Sequence, residues 1–277
     1  MADVKAASVS HGNSAGKPKN SSNFMTNLIV VAACIVVGFV TWKYVLGSDS
    51  NFLDAAKEKA KGTLGLMYQG GFVVPILLAT LFTLLCFVVE RALTIFKAKG
   101  KMDAGEFVRK VQYHLANKNV DAAIAECDKQ AGSVGNVMRS GLKTYKHMIT
   151  DNSLTHDQKI LTIQKEIEEA TALELPMLEK NLVFLSTISS CATLLGLFGT
   201  VLGMIRSFQS MNTAGAPDAA ALAGGISEAL INTALGISTS FIAIIAYNFF
   251  TTIIDGVTYG IDESGFTLTQ SFAATYK

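Results

Sequence analysis

Charge is scarce in this sequence. Of 277 residues only 16% are Asp, Glu, Lys or Arg, and the formal net charge is +1. A balance so close to zero lacks the basic footprint of a nucleic-acid binder. So thin a charge density also argues against an ordinary soluble domain. Cysteine is sparse too: Cys34, Cys86 and Cys191 lie in apolar runs and Cys127 in a polar one. Without a C-x-x-C pair, neither a disulfide framework nor a zinc site is indicated. His11, His114, His147 and His156 are scattered through polar segments and read as solvated surface residues. No Gly-rich phosphate loop and no nucleophile–base–acid set is visible, so nothing points to an enzyme, a metal or a cofactor.

What is abundant is apolar sequence. About 20 consecutive apolar residues cross a bilayer core, and four runs reach that length. The sequence therefore predicts an all-α polytopic membrane protein. Residues 1–26 read as a polar, disordered tail and 27–46 as an N-terminal transmembrane helix. An outer loop, 47–71, leads to a second span, 72–96. A helical cytoplasmic domain, 97–180, precedes a transmembrane pair, 181–255, and a short tail, 256–277. The first run exceeds a usual signal-peptide core and no clear A-x-A site follows, which favours a retained helix. Trp42 and Tyr44 suit a membrane interface. Phe52 to Lys61 reads as a short interfacial helix.

Basic flanks set the orientation. Lys5, Lys17 and Lys19 precede the first span, and Lys97, Lys99 and Lys101 follow the second. Both clusters belong on the cytoplasmic side, which places both termini and 97–180 there and leaves 206–222 as a short outer loop. Glu90 and Arg91 are sequence neighbours that do not face each other on a helix, and they read as interfacial charge. In 97–180 the apolar spacing is helical. Phe107, Val111 and Leu115 form one stripe, and Val134, Val137, Met138, Leu142 and Tyr145 another. Ile160, Ile163, Ile167 and Ala170 line a longer helix whose acids, Glu166, Glu168, Glu169 and Glu174, read as a solvated face. Pro176 is a candidate kink.

The chemistry concentrates in 182–254. The run Leu182–Ile205 has no charge, and Ala223–Ile254 has one, Glu228. A carboxylate in a membrane helix is costly and usually faces a bundle interior or a wet cavity. Ser186, Ser189, Thr193 and Thr200 recur at helical spacing in the third span, beside Gly196, Gly199 and Gly203. Gly199 and Gly203 make a G-x-x-x-G pair that permits close helix approach. In the fourth span Glu228, Asn232, Ser238 and Thr239 share one side, with Thr233 flanking it. The residues alone leave three readings open: an ion-conducting subunit, a scaffold in which Glu228 bonds Asn232 and staples helices, and a secondary transporter. The inverted repeats and broken helices of many transporters are not apparent.

Three segments carry a resemblance. LLGLFGTVLGMIRSF, Leu194–Phe208, is similar to the third-span motif of ExbB and TolQ, and ISEALINTALGISTSFIAIIAYNFF, Ile226–Phe250, resembles their final span. ALELPMLEKNLVFLSTIS, Ala172–Ser189, looks like the entry to that hairpin. The order and separation are those of the MotA/TolQ/ExbB proton channel family, with ExbB nearest. This resemblance implies a homo-oligomer, a pentamer, around membrane helices of an ExbD-like single-span partner. It implies a proton path through Glu228, Thr200 and Thr233, with Ser186, Ser189, Thr193 and Asn232 as pore-lining candidates. It implies location in a bacterial inner membrane, where proton flow drives a TonB-like protein for uptake across the outer membrane. The extra span at 27–46 departs from the usual three-span ExbB pattern. TolQ-like and MotA-like machines remain alternatives, although MotA-like chains lack the acid kept here at Glu228.

Overall fold

A computed structural model of the chain describes residues 20–54, 57, 59–213 and 219–276. It is α-helical, and among the described residues the nearest thing to a sheet is one bridge between Phe52 and Ala60. Four helical stretches are long and apolar enough to cross a membrane.

Helix α1, Asn20–Val40, continues into a π-helical turn, Thr41–Leu46, closed by a Gly47 N–H that donates to the Trp42 carbonyl at 3.0 Å. Helix therefore begins inside the expected tail; the rest of that tail lies outside the described residues. α1 lies against α3, Val73–Lys99. Gly38 makes this possible, because a Cβ there would stand 2.8 Å from both the Ala79 nitrogen and the Pro75 carbonyl oxygen. Most of the remaining α1 surface is exposed and apolar, as a helix bathed in lipid should be.

The expected outer loop between them carries local structure of its own. A 3-10 turn, Asp49–Asn51, and the Phe52–Ala60 bridge pack under α2, Thr63–Gln69. Trp42 stacks on Tyr68 at 4.9 Å, and Phe52 meets the same ring edge-on at 5.5 Å. The described part of Phe52–Lys61 is extended or bent rather than helical, the interfacial aromatics holding it instead. Gly71 then takes φ +73°, a conformation that favours glycine, and turns the chain into α3.

Outside the apolar stretches four helices build a bundle: α4, Ala104–Ala116; α5, Val120–Gln130; α6, Gly132–Thr150; and α7, His156–Glu179. Their starts follow local chemistry. Asp103 caps α4, Asn119 caps α5, and Thr155 with Gln158 forms a capping box on α7. The expected stripes face inward: Phe107, Val111, Leu115, Val134, Val137, Met138, Leu142, Tyr145, Ile163 and Ile167 are all buried. The acids of α7 divide. Glu166 accepts from Ser140 at 2.6 Å and Glu174 from Asn136 at 3.0 Å, so two of them tie α7 to α6. Glu168 and Glu169 stay exposed.

α7 passes through Pro176 and ends at Glu179; Asn181, at φ +64°, starts the next helix on a new course. That is α8, Leu182–Thr213, followed by α9, Ala219–Thr275. Both overrun the expected limits. α8 continues beyond 206 because no Gly or Pro occurs before Thr213. α9 has 57 residues, which at 1.5 Å each make about 85 Å. No break marks the expected boundary at 255, and the tail is the last third of one helix. There Phe272 meets Tyr145 edge-on at 4.9 Å, and Gln112 donates to Thr267 at 3.3 Å. The α4–α7 bundle is thus assembled around the same helix that carries Glu228.

Candidate functional site

The α8–α9 hairpin is held by backbone proximity. Gly196, Gly199 and Gly203 are buried against α9. A Cβ on Gly203 would be 2.7 Å from the Gly225 carbonyl, and one on Gly199 would be 2.5 Å from the Asn232 Cβ. Gly236 returns the fit from α9, within 2.6 Å of the Ala192 carbonyl by the same measure. Small side chains facing one another let the two backbones touch. This packing lies within one chain.

Glu228 is 8% exposed, and its partner is Arg206. The Arg206 Nη1 donates to Glu228 Oε1, directly beside the turn at Gly71. Asn232 is fully buried and donates from Nδ2 to the Gly70 carbonyl at 2.9 Å, while its Oδ1 finds no partner. The Glu228–Asn232 bond of the scaffold reading is therefore absent: Glu228 joins α9 to α8 through Arg206, and Asn232 fastens α9 to the α2–α3 turn. Sequence alone does not single out Arg206, because it follows the apolar run where a loop is expected. The available signal is that no Gly or Pro follows before Thr213, so the helix carries on through Arg206. Nearly half of its side chain is covered, which leaves the guanidinium within reach of water or another chain.

Thr200 and Thr233 meet across the hairpin, hydroxyl to hydroxyl, and Thr200 also donates to the Gly196 carbonyl at 3.2 Å. They lie on a different side of α9 from Glu228, so the acid and the threonine pair flank the helix rather than share one face. Ser240 donates to the Ser189 carbonyl farther along the same seam. Ser186 and Thr193 are exposed in the single chain, beside this seam. Ser238 departs from its expected side: it is exposed and bonds the Ala234 carbonyl at 2.7 Å, whereas Thr239 is buried.

At the opposite end of the apolar layer, Arg91 is 1% exposed. It pairs with Glu90 at 2.5 Å and donates to the Leu178 carbonyl at 3.3 Å. The expectation that these neighbours cannot meet fails because their long side chains curl together where α7 covers α3. Asn181 donates to Glu90 at 3.2 Å and accepts from Asn27 at 2.8 Å, which draws α1 into the same knot. Among the described residues no group of three potential metal ligands occurs.

Residues 129–263 match the MotA/TolQ/ExbB proton channel family. A Tol-Pal system protein TolQ of Pseudomonas aeruginosa is 35% identical over 129 residues, 44% of this chain and 56% of the relative. A putative biopolymer transport protein ExbB-like 3 of Synechocystis is 41% identical over 86 residues, 30% of this chain and 41% of the relative. The chain thus spans about half the length of these two. The biopolymer transport protein ExbB of Neisseria gonorrhoeae is 26% identical over 186 residues, 65% of this chain and 80% of the relative.

Proposed function

With a MotA/TolQ/ExbB family domain present at residues 129–263, we propose that this chain is the ion-conducting subunit of a membrane motor driven by the proton gradient. One observation carries the reading: an acid, Glu228, is buried in an apolar helix beside a half-exposed arginine, and the same helix carries a seam of touching hydroxyls on another side. A carboxylate in such a place marks an ion path more often than a scaffold. Glu228 is the proton-responsive group, and Thr200 and Thr233 line the path beside it. Arg206 neutralises Glu228 at rest. An acid on a partner helix competes for that guanidinium, and each exchange shifts local charge.

The chain works as a homo-oligomer, a pentamer, around an ExbD-like single-span protein in a bacterial inner membrane. The bundle α4–α7 and both termini face the cytoplasm. The output is a TonB-like protein that energises uptake across the outer membrane, a reading supported by the long match to the Neisseria ExbB. A TolQ-like role in a Tol-Pal machine is the second reading, supported by the higher identity to the Pseudomonas TolQ. Purification of the complex from native membranes, with identification of the bound proteins, tests both. A single-span protein with an intramembrane acid is expected. A chain that purifies alone, with full energised uptake surviving its deletion, contradicts the motor.

A further inference from the structure

Beyond the threonine pair the hairpin seam keeps its polarity. α9 presents Thr233, Ser240 and Tyr247 at seven-residue steps, and then Thr251 and Asp255. A step of seven returns nearly to the same face of a helix. From Thr233 to Asp255 this polar stripe runs about 33 Å, roughly the thickness of a bilayer core. α8 answers with Thr200 opposite Thr233 and Ser189 opposite Ser240.

The stripe ends in a cavity of about 340 Å³, where Glu179, Ser186, Tyr247, Thr251 and Asp255 share the lining with three apolar side chains. At about 30 Å³ each, it has room for about ten waters. The Thr251 hydroxyl is buried there without a hydrogen-bond partner. Its neighbours on α9 are satisfied through the carbonyl four residues earlier: Thr239 at 2.9 Å, Thr252 at 2.9 Å and Thr258 at 3.0 Å. A buried hydroxyl left unpaired is costly, and the adjoining cavity is large enough to hold water that could reach it. Asp255 and Glu179 are exposed where the cavity opens.

We propose that this cavity is the mouth through which protons leave the α8–α9 seam, lined by Tyr247 and Thr251 and emptied through Asp255. The proposal rests on the proton-path reading of Glu228 and extends it to a second, separate set of residues. The Asp255 carboxylate takes a proton from a hydronium ion in the cavity, the hydronium O–H breaking as the carboxyl O–H forms. The carboxyl O–H then breaks as the proton joins a water of the bulk; charge balances in both transfers and no electron moves.

Two measurements on the intact complex test it. In inside-out vesicles, with Cys34, Cys86, Cys127 and Cys191 replaced by alanine, a charged methanethiosulfonate is added. Thr251→Cys should react at least about 10-fold faster than lipid-facing Ile245→Cys, because only a hydrated thiol ionises readily. Equal rates overturn the proposal. In proteoliposomes, Thr251→Val and Asp255→Asn should each cut proton flux at least about 5-fold with the complex intact. Ser238→Ala, on the opposite face, should conduct normally. If Glu228→Gln stops flux while both seam variants conduct like wild type, the Glu228 path stands and the mouth falls. If Thr251→Cys is accessible and flux survives Glu228→Gln but not Asp255→Asn, the mouth stands and the role of Glu228 falls.

Discussion

Gly203→Ala probes the α8–α9 crossing by adding one methyl group. The new carbon would lie 2.7 Å from the Gly225 carbonyl oxygen and 2.9 Å from the Ala229 nitrogen. Both are backbone atoms of a helix and cannot rotate aside. Ordinary contact therefore requires the two helices to part by about 0.5–1 Å, and such overpacking costs about 1–3 kcal/mol. Alanine returns up to about 1 kcal/mol through its better helix propensity. Because both clashing atoms are backbone, the overpacking cost is taken at about 2 kcal/mol, the middle of that range, and the net loss is then about 1–2 kcal/mol. At about 2–4 °C per kcal/mol for chains of a few hundred residues, the melting midpoint should fall by about 2–8 °C. Gly256→Ala is the control, since a Cβ there meets nothing within 4 Å; it should melt no lower than wild type. Size-exclusion profiles after graded heating in detergent give both midpoints. If Gly203→Ala melts together with Gly256→Ala, backbone contact does not limit this crossing.

Three further outcomes follow from single contacts. The Cys34 and Cys86 sulfurs are 3.7 Å apart across α1 and α3, so mild oxidation should join them into one disulfide-linked peptide pair by mass mapping; failure to cross-link would show that α1 does not pack there. Burial pushes the Cys127 thiol from 9.0 up to about 12. About one molecule in ten thousand is then thiolate at pH 8, so N-ethylmaleimide should label Cys127 only after denaturation. Because the folded value is the higher one, its stabilisation is complete below pH 9.0 and fades as pH climbs toward about 12, where the bundle should loosen. Thr200→Ala and Thr233→Ala each remove one half of a hydroxyl pair. Each should cost about 1 kcal/mol of stability and lower proton flux, and the double variant should do little more harm than either alone; strictly additive losses would place the hydroxyls in separate roles.

Much of the fold was legible because helices declare themselves by period. The stripes at Phe107, Val111 and Leu115 and at Val134 through Tyr145 are buried as their spacing requires, and the four apolar runs became four helical stretches able to span a membrane. Long polar side chains were harder to place. Arg206 and Glu228 are 22 residues apart, and only the antiparallel register of two helices brings them together. Glu90 and Arg91 were judged by backbone direction, yet several rotatable bonds let both side chains curl under α7. Helix ends misled for a related reason. Hydrophobicity stops near Ile205 and Ile254, but neither place holds a proline, and α9 runs through Gly256 because packing of its last turns on the α4–α7 bundle outweighs the propensity cost of one glycine. Ser240, Tyr247 and Thr251 escaped notice because one hydroxyl in seven residues looks incidental until the partner helix shows which face is the seam.

The central claim is that Glu228 carries the proton. The direct test is proton flux through the purified complex in liposomes under an imposed gradient, with wild type and Glu228→Gln compared at equal incorporation. Glutamine keeps the shape and a hydrogen bond to Arg206 but cannot titrate. The variant should assemble at wild-type yield and pass no protons above the rate of empty liposomes. Flux equal to wild type in a correctly assembled Glu228→Gln complex would contradict it and leave Glu228 as the anchor that binds α9 to Arg206.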